Sequence, residues 1–314
     1  MKKWLLILIV FVGLSLTSAY VFFPREVDSS NIEKFNCNIN SINRFLIDEE
    51  GWKKWWPGTV TQDSISGKNI FSYHGYQFDI LEKKYNAVVL QIRADNFTVE
   101  GSIFFIPMNI DTVRAEWNYA LKTKSNPIYR VNLYWQTKKI DENMVNILKS
   151  MKAFLENQVN IYGVKFYNTM SNDSALIATK DTTKGYPSTS VIYKMISQLR
   201  KYIVSQKAKE NNFPMLHVKK LNESEFETMV AIPVNKVLAG NGKLFYRRFV
   251  PWKVLAAEVR GGDYTVNEAL KQMIIYRGDY NITAMAIPFA SLVTDRSKEP
   301  DTLKWITRIY TPIP

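Results

Sequence analysis

The sequence runs to 314 residues, with 46% hydrophobic side chains and one cysteine, Cys37. That length accommodates two domains of ordinary size, the composition excludes long disorder, and a single cysteine excludes both an intramolecular disulfide and a thiolate metal cluster. Lysine and arginine number 41 against 29 acidic residues, a net charge of +12 that favours anionic partners, with no dense basic tract to specify one.

Lys2 and Lys3 precede an uncharged stretch of 20 residues from Trp4 to Phe23, stopped by Pro24 and Arg25. As a helix it would rise about 30 Å, the thickness of a bilayer's hydrocarbon core. The expectation is a single-pass anchor over 1–24, with the N-terminus cytoplasmic and the globular part outside. The alternative is a cleaved signal peptide, with Thr17-Ser18-Ala19 as its cleavage site. Residues 25–36 are polar and charged and read as a tether.

A first domain is expected over 37–163. A short helical pattern at Ser41 to Glu50 leads into the cluster Trp52, Trp55 and Trp56. Strands are expected at Tyr76 to Leu81, Ala87 to Ala94, Thr98 to Pro107, Arg114 to Leu121 and Ile128 to Thr137, from alternation or from β-branched and aromatic content. Glu142 to Tyr162 carries Met144, Ile147, Leu148, Met151, Phe154, Leu155 and Val159, spaced by three and four as on an amphipathic helix. Strands grouped apart from helices in this way indicate the α+β class. Cys37, with only His74 and His217 elsewhere in the chain, reads as a small buried hydrophobe.

From residue 164 to 314 the pattern is duplicated, with repeats at 164–240 and 243–314. The segment from Leu176 to Tyr186 aligns with that from Val254 to Tyr264: a strand, a glycine-containing turn, and a tyrosine that precedes a helix. Ser188 and Thr265 stand where helix caps belong. Each half closes on an aromatic and a proline-ended strand, Phe226 to Pro233 and Trp305 to Pro312. The tyrosines lie 78 apart (264 − 186) and the prolines 79 (312 − 233), an agreement that indicates duplication. Each unit reads β-α-β-β. Two such units joined edge to edge would leave a cleft on a pseudo-twofold axis. Gly240-Asn241-Gly242 reads as the turn between them.

These duplicated units, the turn Gly261 to Tyr264 and the ending Trp305 to Ile313 resemble the GyrI-like effector-binding domain of bacterial multidrug-responsive regulators. The resemblance implies a small-molecule cleft with Tyr186, Phe226, Glu227, Tyr264, Trp305, Arg308 and Tyr310 as ligand-binding candidates. The family's acidic residue in the final strand receives cationic ligands; here Arg308 stands in its place. Facing the cleft, Arg308 would prefer an anion; alternatively it pairs with Glu227 or Glu258, or faces solvent. The first domain, with Asp48-Glu-Glu-Gly-Trp52-Lys-Lys-Trp55-Trp56-Pro57 between a helix and antiparallel strands, resembles the START-like (SRPBCC, polyketide-cyclase) helix-grip superfamily. That implies an apolar cavity, with Trp56, Glu100, Trp117 and Trp135 as candidate lining, although core packing also explains each tryptophan.

The sequence shows no Gly-x-Ser-x-Gly elbow, phosphate loop, His-Glu-x-x-His or zinc spacing, so no catalytic residue, metal or cofactor is assigned. Regulators of the resembled family carry a helix-turn-helix ahead of this domain; none is visible here, so no nucleic-acid partner is expected. The resulting expectation is a membrane-anchored binding protein for a hydrophobic or amphiphilic small molecule. The alternative is a hydrolase or cyclase using a cavity carboxylate such as Glu100, Glu116 or Glu227.

Overall fold

The computed structural model describes residues 2–23, 26–46, 49–63, 67–94, 97–122, 126–171, 175–248 and 251–314. Pro24, Arg25 and Asp48, named above, lie outside them. The chain divides into two units, Met1–Asn157 and Gln158–Pro314. Both are α+β, each with one antiparallel sheet.

The first unit begins with α1 (Lys2–Phe22). Among the described residues no helix is long and apolar enough to cross a membrane. This overturns the expected single-pass anchor and, with it, the membrane localisation. The end of α1 is committed to protein contacts instead. The Arg130 guanidinium lies 4.6 Å from the Tyr20 ring centroid and donates to the Phe23 carbonyl at 3.5 Å. The Phe23 ring meets Tyr134 edge-on at 5.2 Å.

The expected tether is also corrected, because Glu26–Phe35 forms strand β1. Its residues alternate between half-buried and exposed, as an edge strand with one covered face must. It runs antiparallel to β7 (Thr112–Lys122), from Glu26 opposite Lys122 to Phe35 opposite Val113. Two short helices, α2 (Ile39–Leu46) and α3 (Glu49–Lys53), lead to β2 (Thr59–Gln62), β3 (Asn69–Tyr73), β4 (Tyr76–Lys84), β5 (Ala87–Ala94) and β6 (Phe97–Asn109). The seven strands lie in the order β1-β7-β6-β5-β4-β3-β2.

One long helix, α4 (Pro127–Leu155), closes the unit. It overrides the strand expected at Ile128 to Thr137. The reason is local: the Asn126 side chain accepts from Ile128 N and Tyr129 N, and Pro127 occupies the first helical position. Its buried residues include Arg130, Leu133, Thr137, Ile140, Met144, Ile147, Leu148, Met151 and Leu155, most of them three or four positions apart, so one stripe faces the core. Tyr119 ties sheet to helix, donating to the Thr137 carbonyl at 3.2 Å and approaching Asp141 at 3.0 Å.

The inner face of this sheet is filled by aromatics. Trp52 packs on Trp55 at 4.7 Å, Trp56 on Phe78 at 5.2 Å and Phe78 on Trp117 at 6.0 Å. Cys37 is buried, and burial, aided by the Glu156 carboxylate, pushes its thiol up to about 12. That agrees with an inert packing role.

The second unit opens with α5 (Gln158–Tyr162), a separate short helix where the periodicity of Glu142 to Tyr162 predicts one continuous helix. Then follow β8 (Tyr167–Ser171), β9 (Ala175–Lys184), α6 (Thr189–Ser205), β10 (Met215–Lys220), β11 (Glu225–Pro233), β12 (Leu244–Arg248), β13 (Trp252–Arg260), α7 (Asp263–Asp279), β14 (Phe289–Leu292) and β15 (Ile306–Pro312). The expected β-α-β-β repeat is therefore β9-α6-β10-β11 and again β13-α7-β14-β15.

The eight strands lie in the order β12-β9-β11-β10-β14-β15-β13-β8, which reads equivalently from either end. The seam is the short pairing of β10 with β14, where Leu216 sits opposite Ala290 and Met215 opposite Ser291. The outermost strands are exchanged between repeats. β8 precedes β9 in sequence yet pairs with β13, and β12 precedes β13 yet pairs with β9. Each repeat thus lends an edge strand to the other.

Both helices pack on one face of this sheet. Ile192, Ile196, Leu199 and Ile203 of α6 cluster with Ile177, Leu216, Val230 and Ile232. Val266, Ala269 and Met273 of α7 cluster with Leu255, Ala257, Ala290 and Ile309. Ser188 caps α6 by accepting from Val191 N. The second helix starts two residues before the expected cap Thr265, at Asp263, with Gly262 as a cap that offers no side chain. Gly261, at φ +130, takes a backbone conformation that a side chain at this position would oppose.

Candidate functional site

Side chains alternate across a strand, so residues next to the helix-packed ones point off the opposite face. On β9, β10 and β11 these are Leu176 and Ala178, Met215 and His217, and Met229 and Ala231. On β14 and β15 they are Phe289 and Ser291, and Arg308 and Tyr310. Leu176, Ala178, Met215 and Ala231 form their own apolar cluster there, with Phe245 and Phe289 against it.

The registers make the repeats comparable position by position. Ala178 faces Ala231 and Lys180 faces Met229 in the first; Ala256 faces Tyr310 and Glu258 faces Arg308 in the second. Met229 and Ala231 therefore occupy the places that Arg308 and Tyr310 hold in the other half. Phe245 of β12 faces Ala178 as Tyr167 of β8 faces Ala256.

Two cavities share this face, with Met215 and Phe289 common to both. The first, of about 290 Å³, is lined mainly by apolar groups, among them Leu176, Met229, Ala231 and Ile287, with Arg247 and Arg248 at its edge. The second, of about 270 Å³, is lined by polar groups, Thr169, Ser171, Asn212, Ser291, Arg308 and Tyr310. Tyr310 stacks on Phe289 at 5.1 Å with the rings 25° apart. The His217 ring sits 2.7 Å from the Pro288 carbonyl; a carbonyl only accepts, so Nδ1 donates and the ring is fixed beside the first cavity.

The seven residues expected to share one cleft do not. Arg308 and Tyr310 line the polar cavity. Arg308 Nε donates to Glu258 Oε2 at 3.2 Å, one of the pairings the sequence left open, and that hydrogen bond holds its pKa above the ordinary value. Glu227 pairs with Lys180 at 3.2 Å on the sheet's exposed flank. Tyr186 and Phe226 meet edge-on at 5.9 Å, and Tyr186 lines a separate pocket of about 80 Å³ beside Asp263 and Arg296. Tyr264 is 81% exposed.

Trp305 is buried under a guanidinium that sequence reasoning missed. Arg296 lies 4.6 Å from the Trp305 ring, pairs with Asp263 at 2.7 Å and donates to Thr307 Oγ1 at 2.8 Å. A lone arginine in a polar loop gives no periodic signal of burial. Met215, Met229, Ala231, Arg247 and Phe289 were also missed; the alternation of Met215 with Leu216 was legible, but not which face would stay open.

In the first unit Trp56 and Trp117 are core residues, 7% and 0% exposed. Trp135 is 57% exposed on α4. Glu100 and Glu116 alternate with the buried Val99, Gly101, Ala115 and Trp117, so they project from the outer face of the sheet. They border an open groove there with Ser102 and Asn118. The expectation that Glu100 lines an enclosed inner cavity is corrected by this parity.

No family model matches the chain, and no curated protein matches it. Among solved structures, it is similar to an EcmrR–DNA complex at 12% identity, with 59% of this chain and 69% of that chain covered and a TM-score of 0.44. It is similar to the C-terminal domain of EcmrR at 13% identity, covering 48% of this chain and 98% of that one, with a TM-score of 0.40. It is also similar to SAV2435 bound to tetraphenylphosphonium at 15% identity, covering 48% and 94%, with a TM-score of 0.32. These likenesses are weak, and the function is read from the cavities themselves.

Proposed function

We propose that the C-terminal unit is a GyrI-like binding domain that holds a hydrophobic or amphiphilic small molecule in the apolar cavity bordered by Met215, Met229, Ala231, Ile287 and Phe289. The observation that carries this reading is the contrast between equivalent positions. Where the second repeat places Arg308 and Tyr310, the first places Met229 and Ala231, and a space of about 290 Å³ stands over them. That is close to the lower end, roughly 300 Å³, of small-molecule sites. Thioether and aromatic walls suit an apolar body of variable shape.

For the N-terminal unit, a seven-stranded sheet closed by one long helix supports a START-like fold. Native mass spectrometry of the full chain purified from cells tests the reading. The expected result is a co-purifying small molecule that is lost in Ala231→Trp. An apo mass that persists against a panel of aryl and alkyl amphiphiles would sink it.

A further inference from the structure

We infer that the molecule held in the apolar cavity is an organic anion, and that its charged head is taken by Arg247 and Arg248 rather than by Arg308. The inference rests on the binding cavity just proposed and adds the chemistry of its ligand.

Arg247 and Arg248 end strand β12, both are exposed, and both border the apolar cavity. The Arg247 guanidinium lies 5.4 Å from the Phe245 ring, and Phe245 itself packs on the apolar cluster of this face. Stacking of this kind fixes the planar group while leaving its N–H edge open to an acceptor. Among the described residues neither arginine makes an ion pair, and the cavity lining contributes no carboxylate. An anion entering here gains charge-assisted hydrogen bonds, whereas a cation meets two like charges.

Among the described residues, the second repeat does not place an open cation at the equivalent position. Thr169 faces Val254 as Arg247 faces Leu176, so the position of Arg247 is neutral there. Arg308, the cation that lines the cavity of that half, is already engaged by Glu258 at 3.2 Å. The ligand class that fits is a monoanion with a compact apolar body: a carboxylate, sulfonate or phosphate on an aryl or short alkyl group.

The test is calorimetric titration of the full chain at low salt with three probes that share one apolar body: biphenylcarboxylate, biphenylmethanol and biphenylmethyl-trimethylammonium. The carboxylate is expected to bind at least about tenfold more tightly than the alcohol, and the ammonium most weakly. Arg247→Glu/Arg248→Glu should reverse that order, while Arg308→Gln should leave it unchanged. Ala231→Trp, or Ile287→Trp at the exposed rim should the former not fold, should weaken all three probes together. Equal affinities for carboxylate and alcohol, or a preference for the ammonium, combined with loss of binding in the tryptophan variants, would overturn the anion assignment and leave the cavity standing. Probes that bind undisturbed by either tryptophan variant, or that do not bind at all, would overturn both.

Discussion

In the first repeat of the eight-stranded sheet, β11 presents Met229 and Ala231 to the open face; in the second, β15 presents Arg308 and Tyr310 at the equivalent places. The backbone plan is shared, down to the exchanged edge strands, and at these equivalent places the difference lies in the side chains. Duplication supplies two cavities of similar size, and substitution makes one apolar and the other polar. A symmetric fold can thus carry an asymmetric site. The two halves also differ in how they are held. The α6 half rests on an apolar core of Ile, Leu, Val, Met and Ala side chains, whereas the α7 half adds a buried guanidinium, Arg296, tied to Asp263 and Thr307.

The largest effect expected from probing this contrast concerns that guanidinium. Asp263→Ala leaves Arg296, whose side chain is 2% exposed, without its carboxylate. It should cost about 3 kcal/mol, read as a lowered midpoint in urea unfolding. A loss well below about 1 kcal/mol would mean that Thr307 and the Trp305 ring suffice to hold the charge.

Next in size is the conversion of one cavity toward the other. Ala231→Tyr, which copies the second repeat into the first, should weaken binding of an aryl ligand by about 2 kcal/mol, or some thirtyfold, by filling the cavity. Titration of the variant checks this, and unchanged affinity would place the ligand elsewhere.

The helix starts give a smaller contrast. Ser188→Ala removes the side-chain cap of α6 and should lower stability by about 1 kcal/mol. Thr265→Ala, at the cap position expected from sequence but inside α7, should cost less in the same assay. The smallest effect belongs to the exposed pair on the second repeat. Glu258→Gln frees Arg308, and because both side chains are more than a third exposed, stability should change by less than about 1 kcal/mol. The difference should shrink further in added salt.

Much of this architecture was legible in the chain. Repeat spacing, proline-ended strands and the Ser188 cap are local, so β9-α6-β10-β11 and β13-α7-β14-β15 could be read directly. The misreadings have physical causes. Ile128 to Thr137 is rich in β-formers, but the Asn126 cap and Pro127 start a helix there, and burial against the sheet holds it. Glu26–Phe35 looked like a tether because only one side of an edge strand needs cover. The apolar stretch before it satisfied the composition of an anchor, but its end was claimed by Arg130 and Tyr134.

What the sequence by itself determined is therefore the duplication and the class of the elements within each repeat, because periodicity, caps and turns act over a few residues. Which strands became neighbours, which face of the sheet stayed open and which arginine found a carboxylate were decided only in three dimensions. Arg308 and Glu258 are 50 residues apart in the chain and adjacent in the sheet. No local pattern distinguishes that paired cation from Arg247, whose neighbours on β12 leave it open; pairing depends on register and strand order, and those are properties of the whole unit.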